Sequence, residues 1–459
     1  MSEQPEILHS QTQSHPRPYR LTLIKPENRS HGTAKWIDST NQPWCSATSV
    51  IQMTALTLRL LAPVVEHKPF GRAAKSGTGR IRKPISMSAS GPKVDKGFGV
   101  LEWTGKLVPQ GLLVKGVKNG WKFAWQTMMK ELAPQTADGS YSRPSYDFQA
   151  RIGDPNFPVE SGRYHIYIGN ACPWCHRVLL ALIVRGLTQH ISVTWAADDP
   201  ERASRGGWVF NSPEPVFGKN DLREVYDAAQ TRYKGRCTAP LLIDKKQRKL
   251  VSNESSDIMR MLNSVQLHGC TDIDLYPQEL QSEIDEINDL VYDKINNGVY
   301  KSGFSTLQAA YDRAQQELYS ALDVVEQRLS QHRFLVGNKL TEADLRLYPT
   351  IIRYDSAYAI LFKCSRRRVS DYPHLQAWLR DMYQLKVPSE GLQIKDSIDV
   401  ADACRSYFSQ LFPLNPGGIV PAGPTLDDLD LTQAHGRGSS DLKSVFHLQR
   451  QHSSAPAAV

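Results

Sequence analysis

The 459-residue sequence has no long apolar run and few cysteines. None of its hydrophobic stretches approaches the roughly 18 consecutive apolar residues that a membrane-spanning helix needs, so we predict no membrane span. The seven cysteines are an odd number spread over a long chain, which argues against a disulfide framework. A second CxxC pair and a nearby pair of histidines are also absent, and the sequence therefore predicts no metal site.

Acidic residues are scarce in one part of the chain. Residues 53–96 hold nine Lys or Arg against only Glu66 and Asp95, whereas the main body of the chain is nearly neutral although the formal charge is +8. Basic charge confined to such a segment is typical of a tail or a targeting peptide and not of a nucleic-acid-binding surface. We therefore expect no nucleic acid among the partners.

Residues 53–96 are also rich in Arg, Ser and Ala, which is the composition of an organelle transit peptide. Such peptides begin at a chain start, so one hypothesis is that translation starts at Met53; the alternative is a merely disordered basic tail. Residues 1–96 are thus predicted to be a disordered extension and a candidate transit peptide. This favours a chloroplast or plastid location, with the cytoplasm as the alternative.

Two folded domains are predicted after a lead-in segment at residues 97–154, which has one short helix near 120–132. Residues 155–268 show the order βαβαββα of a thioredoxin-like α/β domain, beginning with a strand at 163–168 and an apolar helix at 178–186. The other predicted elements are a strand at 191–197, a helix at 221–233, a β-hairpin at 239–253 and a helix that opens at 254–257.

Helical periodicity dominates from residue 275 to 400 and predicts an all-α domain. Thr341 and Asp344 form a predicted capping box that opens one of its helices. An ordered extension is expected at 401–424, and residues 425–459 are predicted to be disordered.

Cys172 is the candidate nucleophile because it lies at the turn between a strand and a helix. Unpaired N–H groups and the helix dipole favour an anion there, and cysteines at such positions can have a pKa of about 3.5–7.5. Pro173 suits the first helical turn, where its missing N–H costs no hydrogen bond. The thiolate is the form that attacks sulfur, so the position predicts a reactive group.

Cys175 lies one helical turn after Cys172, within reach of it for a disulfide. One interpretation is a resolving thiol, and the other is a small buried helix residue that never oxidises. Cys237, Cys270 and Cys364, like Cys404, are interpreted as small apolar filler.

Two further features predict a peptide-like ligand. Ala239-Pro240 heads a strand, where a cis proline of a thioredoxin-like fold exposes backbone groups to a ligand; an ordinary trans proline is the alternative. Ser255 at a helix start offers donors to a carboxylate, and Glu254 offers an anion to an ammonium group. Glutathione carries both groups on one carbon. Plain helix capping is the alternative, although capping alone is not expected to require Glu254.

A thioredoxin-like domain followed by an all-helical domain is the layout of the glutathione transferases. Over about residues 120–422 the chain resembles the glutathionyl-hydroquinone reductases, the xi class of that superfamily. The segments that carry the resemblance are Cys172-Pro173-Trp174-x-His176-Arg177, Gly206-Gly207-Trp208-Val209-Phe210, Arg236-Cys237-Thr238-Ala239-Pro240, Asn253-Glu254-Ser255-Ser256, Asn296-Asn297-Gly298-Val299-Tyr300-Lys301, Arg353-Tyr354-Asp355-x-x-Tyr358, Ser370-Asp371-Tyr372-Pro373 and Asn415-Pro416-x-Gly418-Ile419.

The resemblance implies an enzyme that removes glutathione from glutathionyl-hydroquinones and uses glutathione as co-substrate. Cys172 would form a mixed disulfide with glutathione, and Tyr300 would donate the proton to the leaving hydroquinone. Tyr358 and Tyr407 would lower the pKa of Cys172 by hydrogen bonding. The resemblance also implies a homodimer. The glutathione-binding positions that it implies are Trp208, Arg236, Cys237, Thr238, Ala239, Pro240, Glu254 and Ser255.

One departure concerns Cys175, because many relatives have a non-thiol residue there. The segment resembles the CP-aromatic-C of a dithiol glutaredoxin. The alternative function is therefore a glutaredoxin-like or omega-like thioltransferase, such as a deglutathionylase or dehydroascorbate reductase, that uses Cys172 and Cys175. A non-catalytic member of the superfamily is disfavoured, because it would not need a cysteine at a helix start beside tyrosines.

Overall fold

The computed structural model describes residues 109–142, 148–388, 392–438 and 442–449. The predicted extension at 1–96, the start of the lead-in segment and the transit-peptide hypothesis lie outside these residues. Among the residues described, no helix is long and apolar enough to cross a bilayer.

The first domain is built on a five-stranded mixed sheet with the strand order β3-β2-β1-β4-β5. Its elements are β1 (Tyr164–Gly169), α2 (Pro173–Val184), β2 (Ser192–Asp198), β3 (Trp208–Val209), α3 (Leu222–Ala229), β4 (Leu241–Asp244), β5 (Lys249–Ser252) and α4 (Ser255–Ser264), and α1 (Gln110–Leu132) precedes them. Strand β1 pairs in parallel with β2 and antiparallel with β4. The predicted thioredoxin-like order is present, with the short strand β3 added to it.

Strand β1 and helix α2 form the centre of this domain. All six residues of β1 and all twelve of α2 are buried. An apolar helix that is buried all round must pack on both sides, and α2 contacts α4 on one side and the helical domain on the other. The start of α2, where Cys172 lies, is therefore at the boundary between the two domains.

The second domain is helical. Its elements are α5 (Gln281–Leu290), a π-helical segment (Val291–Asn296), α6 (Asn297–Phe304), α7 (Gln308–Gln331), α8 (Glu342–Ile351), a second π-helical segment (Tyr354–Tyr358), α9 (Ala359–Leu361), α10 (Pro373–Gln384) and α11 (Val400–Gln410). The predicted capping box of Thr341 and Asp344 opens α8. The first π-helical segment ends at Asn296 and the second at Tyr358. Such π-helical turns are frequent at functional sites.

The lead-in segment is more helical than its sequence indicated. Helix α1 begins at Gln110, ten residues before the predicted start, and its end is held by the buried Met129. The indole N–H of Trp125 donates to the carbonyl oxygen of Pro413, 2.9 Å away. The end of α1 is thus attached to the segment after α11.

The prediction of disorder from residue 425 onward is wrong for the part of the tail that the structure describes. Helix α12 (Leu442–Val445) and strand β7 (His447–Leu448) are formed, and β7 pairs with β6 (Ile273–Asp274). Val445 and Phe446 are buried. The tail is ordered because its few apolar side chains fill the hydrophobic core, a tertiary effect that its polar composition concealed.

Candidate active site

Cys172 is the N-cap residue of α2 and has an extended backbone conformation. Its Sγ accepts a hydrogen bond from the backbone N–H of Cys175 at 3.4 Å and lies 3.6 Å from the carbonyl oxygen of Ala239. Pro173 occupies the first helical position, as predicted. The sulfur therefore faces the unpaired N–H groups at the start of the helix.

The two cysteines of the CxxC pair have opposite shifts in pKa. Burial by itself raises the pKa of Cys172, but hydrogen bonds from the side chain and N–H of Cys175 and from the N–H of Trp174, together with the charge of Arg353, outweigh it and lower the pKa. Burial and the neighbouring Cys172 sulfur raise the pKa of Cys175 well above its ordinary value. Cys172 is therefore the cysteine of the pair that ionises more readily, and the Cys175 thiol donates a hydrogen bond to it.

Arg353, from the helical domain, braces the turn that precedes Cys172. This residue is buried, and its guanidinium donates to the carbonyl oxygens of Asn170 at 2.7 Å and Ala171 at 3.2 Å. It also donates to the carbonyl oxygen of Pro349 and to Nδ1 of His176, at 2.8 and 3.0 Å. The position of the turn thus depends on a residue more than 180 positions later in the chain.

His176 is a neutral part of the same brace. Burial, and then the charge of Arg353, lower its pKa well below the ordinary value. Because Nδ1 accepts from a guanidinium, the proton of the neutral ring is on Nε2, which lies 2.7 Å from the hydroxyl of Ser397. The side chain of Asn170 adds two more links, to the backbone of Asp399 and the carboxylate of Asp402.

The three predicted tyrosines lie together and form a chain of hydroxyl groups. The hydroxyl of Tyr407 is 2.7 Å from that of Tyr300 and 2.9 Å from that of Tyr358. Burial raises the pKa of all three, so each keeps its proton at neutral pH. In the part of the chain that is described, none of them donates a hydrogen bond to Cys172. The groups that lower the pKa of that thiol here are Cys175, the helix start and Arg353.

Phe362 supports the tyrosine chain. Its ring stacks on that of Tyr358 at a centroid distance of 5.3 Å, and it lies 5.3 Å from the ring of Tyr300. A Cβ on Gly303 would overlap the Phe362 ring, so a glycine in α6 is needed for this packing.

Trp208 lies against the turn before Cys172. Its indole ring covers Gly169 at the end of β1, where an added Cβ would overlap the ring atoms. Trp208 is half-buried, so part of its side chain remains exposed to solvent.

The segment from Arg236 to Pro240 passes the sulfur of Cys172. The Ala239–Pro240 peptide bond is cis, so the prediction of a cis proline is confirmed. The backbone of Thr238 is held by the hydroxyl of Tyr226, which donates to its carbonyl oxygen at 2.8 Å. Arg236 is exposed, whereas Cys237 is buried and lies near two guanidinium groups, those of Arg205 and Arg223.

Glu254 and Ser255 are held at the start of α4 by Arg177. The Arg177 guanidinium donates to the Ser255 hydroxyl at 2.7 Å and forms an ion pair with the Glu254 carboxylate at 3.3 Å. Glu254 is itself the N-cap residue and accepts from the N–H of Ser256 at 2.9 Å. Helix capping, the alternative interpretation of this segment, is therefore present, and the Glu254 carboxylate itself is the cap.

Sequence reasoning had assigned no role to Arg177, His176 or Arg353. One signal was available: Arg177 and His176 are polar residues in the otherwise apolar helix α2, and a buried charge requires partners. No local signal points to Arg353, because three of its four hydrogen-bond partners lie in the other domain. In the described residues, no group of three or more His, Cys, Asp or Glu is placed to hold a metal ion.

Comparison with known proteins agrees with this geometry. Residues 171–265 match the model of the glutathione S-transferase N-terminal domain, and residues 308–381 match that of the C-terminal domain. The glutathionyl-hydroquinone reductase of Sphingobium chlorophenolicum is 39% identical over 320 residues, covering 68% of this chain and 96% of the relative. The chain belongs to the glutathionyl-hydroquinone reductase family. The family member of Escherichia coli is 41% identical over 62% of this chain and 85% of its own length.

Solved structures of the family place the fold in the xi class of glutathione transferases. The xi-class enzyme of Phanerochaete chrysosporium is 38% identical, with a TM-score of 0.59 over 64% of this chain and 95% of its own. A glutathione-bound structure of the Escherichia coli family member is 39% identical, with a TM-score of 0.58 over 66% of this chain and 99% of its own. The predicted family and two-domain fold are thereby confirmed.

Proposed function

We propose that this enzyme reductively removes glutathione from glutathionyl-hydroquinones and releases the hydroquinone and oxidised glutathione. The observation that carries the proposal is the Cys172 sulfur at the start of α2, with a lowered pKa, near a chain of protonated tyrosines that includes Tyr300. Relatives named as glutathionyl-hydroquinone reductases support the choice of substrate.

In the first step the Cys172 thiolate attacks the glutathione sulfur of the conjugate. The new bond is the Cys172–glutathione disulfide, and the bond that breaks joins sulfur to the aromatic carbon. The electron pair of that bond stays on the carbon, which must take up a proton to become the free hydroquinone. A lowered pKa serves this step because it increases the fraction of Cys172 that is ionised and able to attack.

Tyr300 is the proton donor in this proposal. Its high pKa keeps it protonated until a strongly basic carbon develops beside it. Tyr407, 2.7 Å from Tyr300, can pass on a proton to restore it, and Tyr358 extends the chain. The resemblance implied that Tyr358 and Tyr407 lower the pKa of Cys172. In this proposal their main role is to hold Tyr300 through the chain of hydroxyl groups.

In the second step a glutathione thiolate attacks the glutathione sulfur of the mixed disulfide, and the Cys172 thiolate is the leaving group. Oxidised glutathione leaves and the Cys172 thiolate is restored, so one conjugate and one glutathione yield one hydroquinone and one oxidised glutathione. For the bound peptide, the candidate contacts are the ring of Trp208, the backbone at Thr238 and Ala239, the exposed Arg236, and the start of α4. At the start of α4, Ser255 would bind the γ-glutamyl carboxylate and Glu254 would bind the γ-glutamyl ammonium group.

The test is turnover of glutathionyl-menadione by wild type, Cys172→Ala and Tyr300→Phe. We expect no turnover in Cys172→Ala, and in Tyr300→Phe a loss of roughly 100-fold or more in kcat, since general-acid catalysis contributes about 10²–10⁴-fold. The alkylation rate of Cys172 should be unchanged in Tyr300→Phe. A wild type that ignores the thioether but reduces a mixed disulfide would refute the proposal.

A second candidate is the thioltransferase activity that uses both cysteines. The contact between the two sulfurs favours it, because Cys175 donates to Cys172. One relative, of Schizosaccharomyces pombe and 37% identical, is named as an omega-like glutathione S-transferase. The Cys175 thiolate would attack the Cys172 sulfur of the mixed disulfide, so that a Cys172–Cys175 disulfide forms and glutathione leaves; two further glutathione molecules would then reduce that disulfide and leave as oxidised glutathione. Cys175→Ala should then lose disulfide turnover while keeping thioether turnover; equal activities in both assays would mean that the second thiol takes no part in chemistry.

We also propose a homodimer in the plastid. The family resemblance supports the dimer, and the basic, acid-poor segment at residues 53–96 supports the location. Light scattering of the full chain tests the first, and fluorescent fusions of the full chain and of a chain starting at Met53 test the second. A monomer, or a cytoplasmic signal from both fusions, would refute the respective statement.

A further inference from the structure

Arg353 is a buried cation that, among the residues the structure describes, has no anionic side chain as partner. The residue is 1% exposed, and in the described parts of the chain no Asp or Glu lies within ion-pairing distance of it. All its hydrogen bonds go to neutral acceptors, three of which are backbone carbonyls. A buried charge that stays uncompensated costs free energy, so a nearby anion is expected.

The Cys172 sulfur can provide this anion, because the other titratable groups around it are neutral. The titratable side chains that interact with it are Cys175 on α2, Tyr300 on α6 and Tyr358 on the second π-helical segment. Tyr407 on α11 is hydrogen-bonded to both tyrosines, and His176 on α2 is hydrogen-bonded to Arg353. Burial keeps each of these neutral: it raises the pKa of Cys175 and of the tyrosines and lowers that of His176. These neighbours are therefore neutral, and the charge that acts on the sulfur is that of Arg353.

We propose that Arg353 is a positioning residue with two effects on the nucleophile. Its guanidinium holds the carbonyls of Asn170 and Ala171, and so fixes the turn that presents Cys172. Its positive charge keeps the Cys172 sulfur in the thiolate form. The inference rests on Cys172 being the nucleophile of the proposed function, but not on the identity of the substrate.

The test compares Arg353→Met and Arg353→Lys with the matched control Arg185→Met. Arg185 is also fully buried and donates to backbone carbonyls, those of Thr271 at 2.6 Å and Val265 at 2.9 Å, but at the far end of α2. The readout is the rate at which iodoacetamide modifies Cys172, followed on its peptide by mass spectrometry over a range of pH.

We expect Arg353→Met to slow the modification several-fold at pH 6 and to move its midpoint to higher pH. Arg353→Lys should keep a midpoint near that of wild type but lower kcat, because one ammonium group cannot hold both carbonyls. Arg185→Met should lose stability without moving the midpoint. An unchanged profile in Arg353→Met, or an equal shift in Arg185→Met, would overturn the proposal.

If Arg353→Met does not fold, Arg353→Gln replaces it, because glutamine keeps hydrogen-bond donors and loses the charge. An Arg353→Gln variant with the same pH profile of alkylation as Arg353→Lys would overturn the charge effect. Alkylation needs no hydroquinone. A wild type that fails to turn over glutathionyl-menadione would therefore refute the proposed function and leave this test standing.

An independent observation concerns the first half of α1, which extends into solvent. Val114, Val117 and Trp121 are 47%, 67% and 55% exposed, and their spacing places them on one face. Each is followed by a lysine, so Lys115, Lys118 and Lys122 form a parallel row beside that face. The helix has no acidic residue before Glu131.

We infer that this face docks on an anionic lipid surface. An amphipathic helix with Trp and aliphatic residues on one face and lysines at its border is suited to the headgroup region, where lysines reach anionic lipids. Charge favours lipid over a second copy of this chain, because a two-fold pairing of the face would place two lysine rows in one interface. The lipid surface would also bring the enzyme to the apolar quinones from which its proposed substrates derive.

The test is flotation of the full chain with vesicles of phosphatidylcholine, with and without phosphatidylserine. We expect binding only to vesicles with phosphatidylserine, and we expect salt to weaken it. Binding should be lost in the double variant Val117→Gln and Trp121→Gln. It should also be lost in the triple variant Lys115→Gln, Lys118→Gln and Lys122→Gln. Phe123→Gln is the matched control, since Phe123 is 74% exposed on the opposite side of the helix. Absence of binding, or a double variant that instead changes the oligomeric state, would overturn the inference.

Discussion

At the scale of single residues, Gly169 shows how a missing side chain shapes the site. The Trp208 ring occupies the space where a Cβ would stand. Gly169→Ala should displace the ring and weaken glutathione binding several-fold, with the thiol chemistry of Cys172 retained. Calorimetric titration with glutathione checks this. Gly120→Ala, in an open part of α1, should bind as wild type does, and an unaltered affinity in Gly169→Ala would show that Trp208 does not contact the peptide.

Cys175 lends itself to a pH prediction. It donates to the Cys172 sulfur, and its removal should raise the pKa of Cys172, because a hydrogen bond to the thiolate is lost. In wild type the thiolate is present above its lowered pKa and disappears as the pH falls through it. Cys175→Ala should therefore have its alkylation midpoint at higher pH. Cys364→Ala, a buried thiol elsewhere, is the control, and a midpoint that stays in place would contradict the donor role.

At the scale of elements, the short strand β7 and the residue before it join the tail to the body. Phe446 is 1% exposed, whereas Leu448 is 57% exposed. Truncating a buried Phe typically costs about 3–5 kcal/mol, so Phe446→Ala should lower the free energy of unfolding by roughly that amount. Leu448→Ala should change it by less than about 0.5 kcal/mol. Urea unfolding measures both, and equal effects would mean that the tail is not packed as described.

At the scale of the whole molecule, the two domains meet around the nucleophile. Arg353, Ser397 and Asp399 hold the turn from one side, and Ser406 on α11 donates to the Asp198 carboxylate at the end of β2 at 2.9 Å. The site is therefore complete only when the domains are docked, and events that loosen the interface should affect the reactivity of Cys172.

Asp198 makes this interface sensitive to pH. Burial raises its pKa from 3.8 to about 6, with the hydrogen bond from Ser406 acting in the opposite direction. The folded state thus binds the proton more tightly than the unfolded state, and stability falls as the pH rises from about 4 to about 6. Asp198→Asn should be more stable than wild type at pH 7, by up to about 3 kcal/mol, and should gain less at pH 4.

Thermal unfolding at the two pH values measures the effect. Asp289→Asn is the control, because the Asp289 carboxylate is exposed on α5, away from this contact. An Asp198→Asn variant whose gain does not depend on pH would show that the carboxylate is already solvated in the folded protein.

The sequence by itself determined the candidate nucleophile, the thioredoxin-like order and the cis proline, because each depends on neighbours within a few positions. Cys172 is identified by the strand before it and the helix after it. The family motifs also brought Tyr300, Tyr358 and Tyr407 onto one list. Only the tertiary structure decided what surrounds the sulfur: that the tyrosines bond to one another, that Glu254 is held by Arg177, and that Arg353 reaches back across the domain boundary. The partners of a buried charge are the groups that lie close to it in space, and for Arg353 these are determined by the packing of α2 against the helical domain.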